Sequence, residues 1–158
     1  MKNKPEAEKA REYAFLLLKY RQRSSEEMRG RLKNKGFSAV VIRNTVNFLE
    51  AKRFLDDREF TRAWIDSRFK KSLGLRRIRQ ELRLKGVDKE VIEKQAKRAC
   101  QGYAESEIVR EIAEKRLEGL KRLEPAKARE RLYSYLIRRG FSPETVVDTI
   151  NTLCRQTF

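Results

Sequence analysis

The chain has 158 residues, with 39 Lys plus Arg against 23 Asp plus Glu, no His, and a formal net charge of +16. Its length suits one domain or a short array of small units, and 39% hydrophobic residues can form a core, but a thin one. The lack of His argues against a zinc centre and removes the commonest general base. The charge favours an acidic polymer or an acidic protein surface as partner.

With only 3 Pro and 7 Gly, and charged residues equal in share to hydrophobic ones, the composition fits helices better than sheets or disorder. The charge is uneven. Residues 1–55 carry 14 basic and 6 acidic side chains, residues 56–102 carry 14 and 8, and residues 103–158 carry 11 and 9. The first two thirds therefore dominate any electrostatic attraction. Cys100 and Cys154 make no CxxC or metal spacing and read as small apolar residues near helix ends in a reducing compartment. No apolar run reaches the roughly 20 residues needed to span a bilayer. The opening MKNKPEAEKAREY lacks the apolar core of a signal peptide, so a cytoplasmic location is expected.

In chain order, the first helix is expected over Pro5 to Tyr20, with Tyr13, Leu16, Leu17 and Tyr20 inward. Ser24 and Glu27 form a capping box that opens a second helix. Gly36, Gly86 and Gly140 then expose an internal repeat. Four residues before each stands Leu32, Leu82 or Leu136, and eight before stands Met28, Ile78 or Leu132. Two after stands Ser38, Asp88 or Ser142, each able to cap a following helix. Six after come Ile42, Ile92 and Val146; ten after, Val46, Ala96 and Ile150; thirteen after, Leu49, Ala99 and Leu153. Each glycine suits the left-handed position just past a helix C-terminus.

A longer helix precedes each pair. The second such helix starts at Asp56, with Glu59 at the capping-box position and Phe60, Ala63, Trp64 and Ser67 as its inner stripe. The third spans Tyr103 to Glu118, with Ile108, Ile112 and Leu117 inward. The expected architecture is all-α: an elongated or curved array of three tandem three-helix, helix-turn-helix-like repeats, at 1–55, 56–102 and 103–158. Such units share a core by stacking. Gly119–Glu124 is the longest connector and a candidate hinge.

Chemistry is absent from the pattern. No GxxxxGK[ST] loop or GxGxxG follows a strand, and neither Cys has an activating His. Asp56–Asp57 sits at a helix start, where capping is the ordinary role of a carboxylate. The expectation is therefore a protein that is not an enzyme, with no metal and no cofactor. The aromatics Phe37, Phe48, Phe54, Phe60 and Trp64 read as core, whereas Phe69, Tyr133 and Tyr135 flank basic residues and could stack on single-stranded bases.

The basic helices remain. Arg68 to Gly86, RFKKSLGLRRIRQELRLKG, holds eight cations and one acid, Glu81. Leu75, Ile78 and Leu82 share one helical face, and Arg76, Arg79 and Arg83 fall on a neighbouring one. Most charge runs are merely solvated faces. The candidate partner or nucleic-acid contacts here are Arg68, Lys70, Lys71, Arg76, Arg77, Arg79, Arg83 and Lys85. Arg29, Arg31, Lys33 and Lys35 occupy the equivalent helix of the first unit, and Arg129, Arg131, Arg138 and Arg139 that of the third.

The segment FLDDREF at 54–60, then Arg68, GLRRIRQEL at 74–82 and Lys85-Gly86 resembles the signature of the bacterial RecX family, which regulates the RecA recombinase. SSEEMR at 24–29 with KGF at 35–37 resembles that family's opening repeat, and YLIRRGF at 135–141 its closing one. Leu75 departs from the family's frequent proline or small residue. The resemblance covers nearly the whole chain. It implies three tandem three-helix repeats and binding to the RecA–DNA filament, with damping of its ATP hydrolysis and strand exchange. The implied partners are the RecA filament, single-stranded DNA and, as a further candidate, double-stranded DNA; no membrane is involved, and a monomer is expected. Without the resemblance, the residues fit equally a helix-turn-helix-like nucleic-acid module acting alone, or an adaptor for acidic proteins.

Overall fold

In a computed structural model that describes residues 4–157, the described chain forms nine helices and no strand. They are α1 (Glu6–Tyr20), α2 (Ser25–Lys35), α3 (Ala39–Ala51), α4 (Asp57–Phe69), α5 (Leu75–Leu84), α6 (Lys89–Ala99), α7 (Glu105–Glu118), α8 (Pro125–Arg138) and α9 (Pro143–Thr157).

The repeat works as a chain of local decisions. Gly36, Gly86 and Gly140 have φ of 95°, 72° and 90°. Each donates its N–H to the third residue back, and the next residue donates to the fifth back: Phe37 to Leu32, Val87 to Leu82, Phe141 to Leu136. This double bond satisfies two carbonyls that a helix end leaves open. It also turns an apolar residue inward: Val87 and Phe141 are buried and Phe37 packs on the core of its unit. The repeated core positions follow. Met28, Leu32, Ile78, Leu82, Leu132 and Leu136 are all fully buried.

The caps vary. Asp56 Oδ1 accepts from the N–H of Arg58 (2.9 Å) and Glu59 (3.3 Å), and Asp88 Oδ1 from Glu90 (2.8 Å). Ser142 Oγ accepts from Thr145 N–H at 3.3 Å. Ser24 and Glu27 form the full capping box. Ser38 differs from expectation: its side chain makes no cap bond to α3. Its N–H and Oγ instead donate to the carboxylate of Glu6 at the start of α1 (2.7 and 3.2 Å). The hydroxyl prefers a charged acceptor, since such bonds are the stronger ones.

Contacts divide the chain into two compact units. One holds Met1–Ala63 and Leu82–Gln95, the other Trp64–Glu81 and Ala96–Phe158. In the first, the core is Ala10, Ala14, Met28, Leu32, Val46, Leu49 and Leu55. On α1 the inner stripe is thus Ala10, Tyr13, Ala14 and Leu17, and the expected Leu16 and Tyr20 are 50% and 78% exposed. Small alanines allow α1 to approach α2 and α3 closely, which turns its larger side chains to the flanks. α4 shows the same rotation. Phe60, Thr61 and Ile65 are buried and Trp64 half-buried, whereas the expected Ala63 and Ser67 are exposed.

In the second unit, Val109, Ala113, Leu117, Leu120, Ala128, Leu132, Leu136, Phe141, Val146, Ile150, Leu153 and Cys154 form the core. Ile108 and Ile112 pack on it partly buried, and the innermost stripe of α7 is Val109, Ala113 and Leu117. The connector 119–124 is pinned by Leu120, which is buried, and Leu123, which is half-buried.

Candidate partner-binding face

The basic segment after Arg68 separates into cations that serve the fold and cations that face outward. Glu81 is the hub in the second unit. Its carboxylate accepts from Arg68 Nε (2.6 Å), Trp64 Nε1 (3.0 Å) and Arg77 Nε (3.1 Å). The Arg68 guanidinium also lies 4.0 Å from the centre of the Trp64 ring. Burial alone would raise the Glu81 carboxyl, but the hydrogen bonds from Arg68, Arg77 and Trp64 outweigh it and hold it below the usual range.

The start of α5 is fixed in the same unit by backbone. Gly74 N–H donates to Arg139 C=O (2.8 Å) and Arg76 N–H to Gly140 C=O (3.1 Å). The Arg139 side chain returns the contact, donating to the carbonyls of Ser72 (3.1 Å) and Lys71 (2.5 Å). Arg139, one of the basic residues of the third repeat, is thus spent on this junction and on Tyr135, whose ring lies 5.5 Å from its guanidinium.

Lys85, at the far end of α5, belongs to the first unit. Its ammonium donates to Glu27 (2.9 Å) and its carbonyl accepts from Ser24 Oγ (2.6 Å). Glu27 also pairs with Arg21 at 2.9 Å. Its burial would raise its pKa, but donors from Arg21, Lys85 and Ser24 bring it down to about 2.

So among the eight expected contacts, Arg68 and Lys85 are mostly buried in ion pairs, and Arg77 is half-exposed and paired to Glu81. Lys70, Lys71, Arg76 and Arg83 are exposed, and Arg79 is half-buried. Arg76, Arg79 and Arg83 follow one face of α5 by the helical period. The aromatics also sort themselves. Phe69 stacks on Tyr103 with centroids 4.3 Å apart and planes at 9°. Tyr135 lies under Arg116 and Arg139. Tyr133 remains 40% exposed.

Sequence reasoning missed a second basic concavity in the second unit. Arg116 of α7 joins Lys127, Arg131 and Arg138 of α8, with Glu130 and Tyr135, around a cavity of ≈ 460 Å³. The missed members, Arg116 and Lys127, stand 11 residues apart on different helices, so no linear run announces them. Among the described residues no group of three or more His, Cys, Asp or Glu could hold a metal ion, and no helix is long and apolar enough to cross a membrane.

The geometry defines a class: an all-α tandem-repeat protein whose exposed chemistry is cationic. Family models describe the particular family. Residues 10–49 match the first three-helix domain of RecX, residues 56–94 the second, and residues 103–150 the third. A protein of Amycolatopsis mediterranei named regulatory protein RecX is 35% identical over 90% of this chain and 81% of its own. A protein of Prosthecochloris aestuarii with the same name is 34% identical over 92% of this chain and 93% of its own. The crystal structure of RecX from Lactobacillus salivarius superposes with a TM-score of 0.80 at 20% identity, over 94% of this chain and 96% of that one, and so shares the fold. The chain belongs to the RecX family.

Proposed function

We propose that this chain is a non-enzymatic regulator that binds the RecA–DNA filament and restrains its ATP hydrolysis and strand exchange. The observation that carries the reading is the match of all three repeats to a family whose relatives are named regulatory proteins. The exposed cations Lys70, Lys71, Arg76 and Arg83, with Arg79 beside them, are the proposed contacts. A net charge of +16 draws the protein to phosphate or to acidic protein surface, and several weak contacts in one chain sum to useful avidity.

The test is the steady rate of DNA-dependent ATP hydrolysis by RecA with rising amounts of this protein, in excess single-stranded DNA so that competition for bare strand is removed. Inhibition well below one regulator per recombinase is expected. Charge reversal at Arg76 and Arg79 should weaken it while helicity is retained; equal inhibition by that variant would place the contact on another face. A second reading, a nucleic-acid module acting without a recombinase, draws on the cationic cavity of Arg116, Lys127, Arg131 and Arg138. It requires the inhibition to vanish as DNA is added.

A further inference from the structure

Arg23, in the turn between α1 and α2, is a buried residue whose guanidinium is only partly satisfied within the fold. It is only 8% exposed, and its Nε has no hydrogen-bond partner among the described residues. Burial, and then the neighbouring charges of Arg21 and Arg31, push its pKa down, against the opposing influence of Glu27 and Tyr13. An orphaned buried donor is uncommon enough to call for a reason.

Arg23 lines a cavity of ≈ 330 Å³ in the first unit, together with Arg53, Phe54, Phe60, Asp56 and Glu59. Arg53 stands at the left-handed position after α3, with φ of 57°. There Phe54 N–H donates to Leu49 C=O (2.8 Å) and Arg53 N–H to Glu50 C=O (3.0 Å), the same double bond that glycine closes elsewhere in the chain. An arginine at this position bears backbone strain that glycine would avoid. Its side chain nevertheless brings a second guanidinium to the cavity. The cavity also has apolar walls: Phe54 is 53% exposed and Phe60 is buried.

We infer that this cavity binds an acidic peptide segment of a partner protein, with one carboxylate on Arg23 and Arg53 and an adjacent apolar side chain against Phe54. The two acids in the wall favour a peptide over a nucleic acid. Asp56 is already committed to the N–H groups of Arg58 and Glu59, and Glu59 pairs with Arg62 at 2.6 Å. Neither cancels Arg23, but both repel a strand that brings a phosphate at every step. A single carboxylate escapes most of that repulsion, and the acids can accept from peptide N–H groups. The inference does not depend on the recombinase reading, because it concerns a site in the first unit remote in sequence from Lys70–Arg83.

The experiment uses the full chain. A short fluorescein-labelled peptide with one glutamate flanked by leucines is titrated by anisotropy, beside a labelled short single-stranded oligonucleotide and inorganic phosphate as competitor. Arg23→Met, which keeps the apolar volume, should weaken peptide binding by about thirtyfold or more, the loss expected when one partner of a desolvated charge pair is removed. Oligonucleotide binding should stay within about twofold of wild type, as expected for loss of a cation that makes no phosphate contact. Arg23→Met should also raise the melting temperature of the free protein, because it deletes a buried donor that has no acceptor; this shows that the variant folds. Unchanged peptide binding overturns the inference, as does a lowered melting temperature, which would mean that Arg23 has a partner within the fold. Arg23-dependent binding of the oligonucleotide or phosphate in place of the peptide overturns it too. ATP hydrolysis by RecA is measured on the same variant, so failure here stays distinguishable from failure of the filament reading.

Discussion

Gly36 and Gly140 hold the same place in the repeat and differ in what surrounds them. Both take a left-handed conformation after a helix, with φ of 95° and 90°. A Cβ on Gly36 would meet nothing within 4 Å, whereas one on Gly140 would overlap the backbone and Cβ of Arg77. Gly74 completes the second case, since a Cβ there would strike the Gly140 carbonyl. One glycine serves its own helix end; the other also lets α5 start against the α8–α9 turn. The repeat pattern therefore encodes the helix-glycine-helix template, and a second set of residues encodes how α5 starts against the α8–α9 turn within the second unit.

The largest expected effect comes from breaking that distinction. Gly140→Ala adds left-handed strain of about 1–2 kcal/mol and an overlap worth about 1–3 kcal/mol more, so a loss near 3 kcal/mol is expected. Gly36→Ala bears only the strain, about 1–2 kcal/mol. Denaturant unfolding monitored by circular dichroism compares them. Equal losses would mean that the Gly140 junction relaxes without cost.

The other junction tests the comparison by pH. Glu27 joins Lys85 and Arg21 in the first unit, and its pKa is lowered from 4.5 to about 2. A depressed carboxyl contributes stability that is complete above its unfolded pKa and is lost as pH falls through the folded value. The contribution, up to about 3 kcal/mol, should therefore fade between about pH 4.5 and pH 2. Glu27→Gln should flatten that part of the stability curve. If the wild-type and variant curves stay parallel from pH 5 to about pH 2, the ion pairs contribute little.

The repeat was legible in the sequence because it is local. A helix, a glycine and an apolar residue four positions back report on one another within a few turns, and Leu32, Leu82 and Leu136 are indeed fully buried. The long first helix of each unit was harder. Tyr13, Leu16, Leu17 and Tyr20 look like a stripe, yet Ala10 and Ala14 are the buried residues, because close helix approach rewards small side chains more than large ones. The basic segment was legible as a run but not as two classes of cation. Nothing near Arg68 or Lys85 in sequence says that Glu81 and Glu27 will claim them. The role of Arg139 is hidden for the same reason: its acceptors, the carbonyls of Lys71 and Ser72, lie 68 and 67 residues away.

That division of the cations gives a smaller, sharper test. Arg68→Ala removes a guanidinium that is 19% exposed and bonded to Glu81, and should cost about 2 kcal/mol. Arg76→Ala removes an exposed one and should change stability by less than about 0.5 kcal/mol. Inhibition of RecA, measured at a temperature where both variants stay folded, should respond the opposite way, falling with Arg76 and persisting with Arg68. A stable, fully inhibitory Arg76→Ala would remove that side chain from the proposed face.

The smallest effect concerns a left-handed position where glycine is missing. Arg53 closes α3 with the same pair of backbone bonds as Gly36 closes α2, at φ of 57°. Arg53→Gly relieves about 1–2 kcal/mol of strain but frees the unfolded chain by about 0.5–1 kcal/mol. The net gain should be at most about 1.5 kcal/mol, seen as a modest rise in the denaturant midpoint at unchanged slope. The same variant should weaken the acidic-peptide complex, since it takes one guanidinium from the cavity. More stability with less binding would mean that this turn keeps its arginine for the ligand. Less stability would mean that the side chain supports the fold, and the difference between Arg53 and Gly36 would then be one of packing alone.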